Sequence, residues 1–344
     1  MRSGKSRSRW GAGGAIVLAV AAVAGCSASG PPVATAAAVT LRIGAPVHEP
    51  TWSDHAHALF ALTDDHRIAK IDPSGRSQLS APFPDAGDNV VTRTTQPVVY
   101  LPQPKLGRVA AISDADLREI ATLRAGPSPS FLALDSGADD LLALSDDHST
   151  VTPVDMHTNT VLGSQHVRPD PEAEVDGAKR GRRIDYHLAG PDGITHHEGS
   201  PGAVREDGAI GISAEKTTGD LVKSSRLYVA EKGTDRMVAV DTKRGGQGLE
   251  VVAQAHLGQP VHYLGTDETR VYAATERTLV VLKTNSFEGY HDQTFPVVTT
   301  IDFRSALPAE AAHAPLSGLA VGPDRVYLSV EGQPYVVAIV KPGI

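Results

Sequence analysis

Cysteine and aromatic residues are scarce in this chain. Of its 344 residues only one is a cysteine, so no disulfide forms within the chain and no cluster of thiolates binds a metal. Aromatic residues make up 5% of the chain and two of them are tryptophans, which disfavours an aromatic platform for sugars. The sequence also lacks the G-x-S-x-G, H-E-x-x-H, P-loop and C-x-x-C motifs, so no common catalytic signature identifies an enzyme.

Positive charge is also in short supply. The formal net charge is −8, and four of the 32 basic residues lie within the first ten positions. Nucleic acid is therefore not an expected partner, because binding to phosphates needs clustered lysines and arginines. The chain is instead rich in glycine (33) and proline (24), which suits a turn-rich, all-β protein.

The N-terminus has the features of a secretory signal. A basic segment is followed by "GAGGAIVLAVAAVAGC" (11–26), which is apolar but shorter than the roughly 20 residues that a transmembrane helix needs. Its last four residues resemble the lipobox of bacterial lipoproteins. The resemblance implies removal of residues 1–25 and lipidation of Cys26, with palmitate among the acyl groups; the alternative is an ordinary signal with an incidental cysteine. Residues 26–40 are then the lipidated cysteine and a flexible tether, which holds the domain at the extracytoplasmic face of the cell membrane.

Short apolar runs recur at intervals near 43 residues along the rest of the chain. Each run predicts a strand, a hairpin turn and a second strand. Six such units are centred on Phe60, Tyr100, Leu142, Tyr228, Tyr272 and Tyr327. The 86-residue gap between Leu142 and Tyr228 spans two periods, so we expect a degenerate seventh unit there, with residues 202–215 as its remnant and Ile210 as its centre. The pattern predicts a single all-β domain over residues 41–344, a seven-bladed β-propeller, or a six-bladed one if residues 202–215 share a blade with Tyr228.

The two ends of the domain are predicted to close the ring together. The chain ends in the third strand of the last blade, and "VTLRIGAPV" (39–47) can supply the missing outer strand. The segments "SGLAVGPDRVYLS" (317–329) and "RMVAVDTKRG" (236–245) resemble the YVTN/YncE-like branch of WD40-type propellers, which implies the same architecture. Residues 167–190 carry charge runs without a strand period and are expected to form an exposed insertion, either a solvated loop or a docking element.

Several histidines keep similar distances from the centres of the repeats. His48, His262 and His313 precede their blade centres by 12, 10 and 14 residues, and His196 and His197 precede Ile210 by 14 and 13. In a propeller this interval falls on the innermost strand or the loop that enters it. The five histidines are therefore predicted to converge at the mouth of the central channel, where Glu49 and Glu198 adjoin them. Imidazoles with a carboxylate suit Zn²⁺, although channel-facing positions are often polar without any ligand.

Three shorter motifs also contain histidine. "WSDHAHALF" (52–60) presents Asp54, His55 and His57 before a strand, as an alternative metal site or an exposed loop entry. "TDDH" (63–66) and "SDDH" (145–148) are predicted to be hairpin turns, because aspartate favours the hydrogen bonds and backbone angles of turns.

One further resemblance concerns function. The segment "THHEGSPGAVREDGAIGIS" (195–213) resembles a motif of AztD-type zinc metallochaperones, extracytoplasmic propellers that deliver zinc to the binding protein of an ABC transporter. The resemblance implies a non-enzymatic protein that binds zinc and docks on such a binding protein or on another envelope protein. Two alternatives stay open: a protein–protein interaction scaffold at the cell surface, and a propeller enzyme of the lactonase or quinoprotein kind.

Overall fold

Twenty-nine strands build the part of the chain that the computed structural model describes, residues 38–93, 96–243 and 248–343. The predicted signal peptide, the lipid attachment at Cys26 and the tether as far as residue 37 lie outside these residues. No helix within the described ranges is long and apolar enough to cross a membrane. Two short 3₁₀ helices, Pro104–Leu106 and Arg304–Ala306, interrupt the strands.

The strands form seven antiparallel sheets: five consist of four consecutive strands, one has a fifth strand, and the last takes its fourth strand from the start of the described chain. We number the sheets as blades 1 to 7 in chain order. The strand that precedes blade 1 is β1 (Ala38–Arg42). Blade 1 contains β2 (His48–Ser53), β3 (Ala58–Leu62), β4 (Ile68–Ile71) and β5 (Ser77–Leu79); blade 2 contains β6 (Val91–Thr92), β7 (Val98–Gln103), β8 (Arg108–Ser113) and β9 (Glu119–Leu123); blade 3 contains β10 (Pro129–Asp135), β11 (Asp140–Ser145), β12 (Thr150–Asp155) and β13 (Thr160–Val161), with β14 (Gln165–His166) also paired to β12.

The second half of the ring repeats this plan. Blade 4 contains β15 (Glu174–Gly177), β16 (Ile184–Gly190), β17 (Gly193–Gly199) and β18 (Arg205–Ile210); blade 5 contains β19 (Ala214–Gly219), β20 (Leu227–Glu231), β21 (Arg236–Thr242) and β22 (Leu249–His256); blade 6 contains β23 (Val261–Thr266), β24 (Arg270–Thr275), β25 (Thr278–Lys283) and β26 (Val297–Asp302); blade 7 contains β27 (Leu316–Val321), β28 (Arg325–Val330) and β29 (Tyr335–Val340). The prediction of a seven-bladed β-propeller is therefore confirmed, and the six-bladed alternative is wrong.

The first strand of each blade lies innermost, and these seven strands contact one another in a closed ring around the central channel. As predicted, the N-terminal strand of the domain closes the ring. Strand β1 pairs with β29 as the fourth strand of blade 7, from Ala38 opposite Ile339 to Arg42 opposite Tyr335. Apolar side chains fill seven clusters, one between each pair of neighbouring blades. A blade therefore buries both of its faces, and its second strand is almost wholly buried.

The prediction of an exposed insertion at residues 167–190 is wrong. This segment contains β15 and β16, the first two strands of blade 4, and all seven residues of β16 are buried. The exposed residues of the segment are 168, 169, 171 and 172, which precede β15, and the loop 180–183 between the two strands. Five of the ten charged residues of the segment lie at these exposed positions, while a strand buried on both faces shows no alternation of polar and apolar residues.

The centre assigned to the seventh unit is also wrong. Residues 202–215 span the outermost strand of blade 4 and the start of the innermost strand of blade 5. The residue that matches the other blade centres is Tyr186 on β16, 44 residues after Leu142 and 42 before Tyr228. The repeat is thus nearly regular across this region.

Candidate functional site

A cluster of one lysine, two glutamates and a tyrosine, each from a different blade, lies on the innermost strands around the central channel. Lys216 on β19 donates to Glu174 of β15 at 2.5 Å and to Glu49 of β2 at 3.4 Å, and its ammonium lies 5.4 Å from the ring centre of Tyr263. Burial raises the pKa of the Glu174 carboxyl. Burial alone would lower the pKa of Lys216, but the two glutamates raise it above its usual value. The cluster therefore links blades 1, 4, 5 and 6 across the channel.

Three of the predicted histidines lie on or before innermost strands, but they do not share a site. His48 on β2 lines a cavity of about 330 Å³ together with Glu49, Asp64, Tyr263 and Glu331. Its Nδ1 lies 3.7 Å from Asp64 Oδ1, and burial lowers its pKa.

The other two histidines of this group are exposed. His262 lies at an irregularity of β23, and His313 lies in the loop before β27. Neither residue lines the cavity that contains His48.

The alternative set, Asp54, His55 and His57, lies in the turn between β2 and β3. Asp54 accepts a hydrogen bond from Trp52 Nε1 at 2.8 Å, and His55 Nδ1 lies 2.8 Å from Asp114 Oδ2. His57 is exposed and has a φ of 46°. The two histidines thus belong to the turn that leads into β3.

The aspartate-rich motifs are turns, as predicted. Thr63 Oγ1 donates to Asp65 at 2.6 Å, and Ser145 Oγ donates to Asp147 at the same distance. The histidines that end these motifs, His66 and His148, adopt positive φ angles of 59° and 53°, which suits the left-handed position of a tight turn.

His196 and His197 lie on the third strand of blade 4, and the prediction that they lie at the innermost strand is wrong. The prediction failed because the number of residues to the blade centre was counted from Ile210 instead of Tyr186. Strand β17 pairs with β16 so that His196 is opposite His187 and His197 is opposite Tyr186. Successive residues of a strand point to opposite faces, so His187 and His196 face blade 5 while Tyr186 and His197 face blade 3.

The pair that faces blade 5 is buried and next to a carboxylate. His187 is 3% exposed and His196 is 2% exposed, and their ring centres are 4.8 Å apart. His196 Nε2 lies 2.9 Å from Asp185 Oδ1. The remaining ring nitrogen of His196, Nδ1, has no hydrogen-bond partner, and neither has Nε2 of His187.

The pair that faces blade 3 is stacked. The rings of Tyr186 and His197 lie 4.9 Å apart and nearly parallel. His197 Nε2 lies 3.0 Å from Thr195 Oγ1, while its Nδ1 and the Tyr186 hydroxyl have no partner. His197 lines a lateral cavity of about 350 Å³ between blades 3 and 4.

Buried polar atoms without a hydrogen-bond partner are concentrated in the strand pair β16 and β17. Of the seven buried side-chain polar atoms without a partner among the described residues, four belong to Tyr186, His187, His196 and His197. Such atoms are rare in native proteins and each calls for a bound water, an ion or a functional role. Burial lowers the pKa of His187 and lowers that of His197 to about 4, so both imidazoles are neutral at pH 7, the form that binds metals.

A cavity of about 440 Å³ adjoins His196, but not His187, on the blade 5 side. It is lined by His196, Asp185, Glu198, Asp207, Gly181, Arg182, Arg183, Ser224, Ser225 and Thr242. Glu198 lies on the same face of β17 as His196, and its carboxylate accepts a hydrogen bond from Arg183 at 2.9 Å. Within the described ranges, no three His, Cys, Asp or Glu side chains already surround a point that could hold a metal ion.

Sequence reasoning missed Asp185, Tyr186 and His187. The signal was the segment "IDYHLAG" (184–190), which repeats the position of the other blade centres and carries a histidine next to its tyrosine. The charged loop in front of it concealed the strand.

No protein-family model and no curated protein sequence matches this chain. Among solved structures, the chain is similar to one from the mitotic checkpoint complex, at 11% identity over 96% of this chain and 100% of that chain, with a TM-score of 0.66. It is also similar to a chain of hydrazine synthase from Kuenenia stuttgartiensis (12% identity, 88% and 97% covered, TM-score 0.66) and to the WD40 repeats of RRP9 (12% identity, 91% and 99% covered, TM-score 0.65). At such identities the likeness shows the fold alone, that of WD40 β-propellers, and the YVTN/YncE-like and AztD-like resemblances stay predictions.

Proposed function

We propose that this protein is a non-enzymatic binding protein, anchored by lipid on Cys26 to the extracytoplasmic face of the membrane, that takes up Zn²⁺ between blades 4 and 5. One observation carries the proposal: one ring nitrogen of the buried His196 lies against the Asp185 carboxylate, and the other has no partner. A histidine that binds a metal usually has its second nitrogen held by a carboxylate in this way, which fixes the ring and strengthens the ligand.

The neighbours of His196 supply the other ligands that zinc prefers. His187 contributes a second imidazole with an unpartnered Nε2, and Glu198 contributes a carboxylate on the same face of β17. Zinc accepts such nitrogen and oxygen ligands in four-coordinate sites. Binding requires these side chains to turn, because they do not surround a common point in the structure.

A bound ion would also give partners to the two buried ring nitrogens that lack them, Nδ1 of His196 and Nε2 of His187. Leaving a buried donor or acceptor unsatisfied costs about 1–3 kcal/mol for each group, and an ion shared by His187 and His196 removes that cost for both. His197 is not part of the site because it lies on the opposite face of the strand.

The test is zinc binding by the purified protein and by single variants. Metal analysis after mild purification and competition with a chromogenic chelator measure occupancy and affinity. We expect His187→Gln and His196→Gln to weaken binding by at least as much as Asp185→Asn, for which a loss of about 10–100-fold is typical of a residue that orients a ligand. His262→Gln and His313→Gln, which change exposed histidines, serve as controls and should bind as the wild type does.

Two results would contradict the proposal. Absence of zinc binding in the wild-type protein removes the metal function. Loss of binding in the His262 or His313 variant, with the His187 and His196 variants unchanged, moves the site to the channel mouth.

A second candidate function is a protein-interaction platform, alone or together with zinc delivery to an ABC-transporter binding protein or another envelope protein. It is favoured by the fold likeness to a chain of the mitotic checkpoint complex, an assembly of proteins. Deleting residues 167–190 cannot test it, since that removes two strands of blade 4. Replacing only the exposed loop 180–183 by glycine and serine should abolish recovery of the partner in a pull-down; unchanged recovery argues against docking at this loop.

A further inference from the structure

The cavity beside His196 is far larger than a metal ion needs. Its volume is about 440 Å³, whereas a water molecule occupies about 30 Å³ in the liquid. Pockets of roughly 300–1,000 Å³ hold small organic ligands. The cavity is also lined by Arg182, Arg183, Ser224 and Thr242, whose guanidinium and hydroxyl groups can donate hydrogen bonds to anions.

We infer that this cavity takes zinc as a complex with a small polycarboxylate, the metal held at His196 and the carboxylates held by Arg182 and Arg183. This inference rests on the proposed function of the site. An arginine recognises a carboxylate through two parallel N–H groups, which a lysine cannot reproduce.

The charges that line the cavity favour an anion only when the metal is present. The carboxylates of Asp185, Glu198 and Asp207 outnumber the two guanidinium groups by one. A divalent cation changes the local balance from −1 to +1, so an anion is repelled before the metal binds and attracted after it.

Arg183 connects the binding of the metal with the binding of the anion. Its guanidinium donates to Glu198 at 2.9 Å, and its side chain is 64% exposed. When Glu198 turns to the metal, Arg183 loses its carboxylate partner and is free for another. Arg182 has no hydrogen-bond or ion-pair partner among the described residues and stands at the same cavity.

The experiment is equilibrium dialysis of the purified protein against radiolabelled citrate, with and without Zn²⁺, beside a measurement of Zn²⁺ binding alone. We expect about one citrate retained per protein with zinc and at least tenfold weaker retention without it, a difference of about 1.4 kcal/mol or more. Arg183→Gln should lower the amount of citrate retained per bound Zn²⁺ by roughly tenfold or more, with Zn²⁺ occupancy of the variant measured in parallel. Arg183→Lys keeps the charge and should restore part of the loss.

The control is Arg168→Gln, which removes an exposed arginine paired with Asp192 at 2.7 Å on the other side of the blade. It should retain citrate as the wild type does. The inference is overturned if zinc binds without retaining citrate, if citrate is retained equally without zinc, or if Arg183→Gln retains it fully. Absence of zinc binding overturns the proposed function itself, and the two failures are thus distinguished.

Discussion

Three tyrosines at equivalent positions of their blades should respond in opposite ways to loss of the hydroxyl group. Tyr228 OH donates to Asp220 Oδ2 at 2.5 Å and Tyr272 OH donates to Asp267 Oδ2 at 2.7 Å, whereas the buried hydroxyl of Tyr186 has no partner. We therefore predict that Tyr228→Phe destabilises the protein and that Tyr186→Phe does not.

The magnitude follows from the partners that remain. A hydrogen bond to a charged group contributes about 1.5–3 kcal/mol. Asp220 keeps the hydrogen bonds donated by Ser286 Oγ at 2.6 Å and by the backbone N–H groups of residues 222 and 223, so the loss in Tyr228→Phe should lie near the lower end, about 1.5–2 kcal/mol. For Tyr186→Phe, removal of an unsatisfied buried hydroxyl should leave stability unchanged or raise it by up to about 1 kcal/mol.

Urea and thermal unfolding of the metal-free protein, followed by circular dichroism, measure both effects. A change of 1 kcal/mol shifts the Tm of domains of roughly 150–250 residues by about 2–4 °C, so Tyr228→Phe should unfold several degrees below the wild type. Tyr272→Phe serves as a second hydrogen-bonded case and should shift in the same direction. If Tyr186→Phe lost as much stability as Tyr228→Phe, the hydroxyl of Tyr186 would have a partner and the reasoning about unpartnered atoms in blade 4 would be refuted.

The remaining predictions concern packing, pH and the anchor. Gly177→Ala should cost about 1–3 kcal/mol, because its Cβ would lie 2.4 Å from the carbonyl oxygen of Leu134, while Gly211→Ala, with no atom within 4 Å, should be neutral in the same urea titration. Burial raises the pKa of Asp140 from 3.8 to about 6. Between these pH values the folded state therefore binds more protons than the unfolded state, and stability should fall as the pH rises from 4 to 6. Asp140→Asn should abolish that part of the fall, and an unchanged pH profile of stability would show that this carboxyl is not responsible. Cys26→Ser should eliminate incorporation of labelled palmitate and release the protein from the membrane fraction, whereas retention of label would place the acyl chain elsewhere.

The positions of the predicted histidines show where the sequence pattern misled. The period near 43 residues is correct, but the weakest unit was centred 24 residues too late, on Ile210 instead of Tyr186. That shift moved His196 and His197 from the third strand of blade 4 to an innermost strand. His48 and His262 do lie on innermost strands, yet the register of each strand shifts at or next to its histidine, so similar spacing does not bring their side chains together.

The sequence alone determined the repeat, the β class and the strand that closes the ring, and it favoured seven blades while six stayed open. These features depend on local pattern. Apolar strands and turn residues can be recognised within a few residues, and the regular period follows from their recurrence along the chain. Tertiary structure alone decided which side chains meet. His196 depends on Asp185, 11 residues earlier, through the register of β16 and β17, and Lys216 reaches Glu49, 167 residues away, only because the ring closes. Strand register and blade packing arise from the summed burial of many apolar residues, so no short segment specifies the partner of one polar atom.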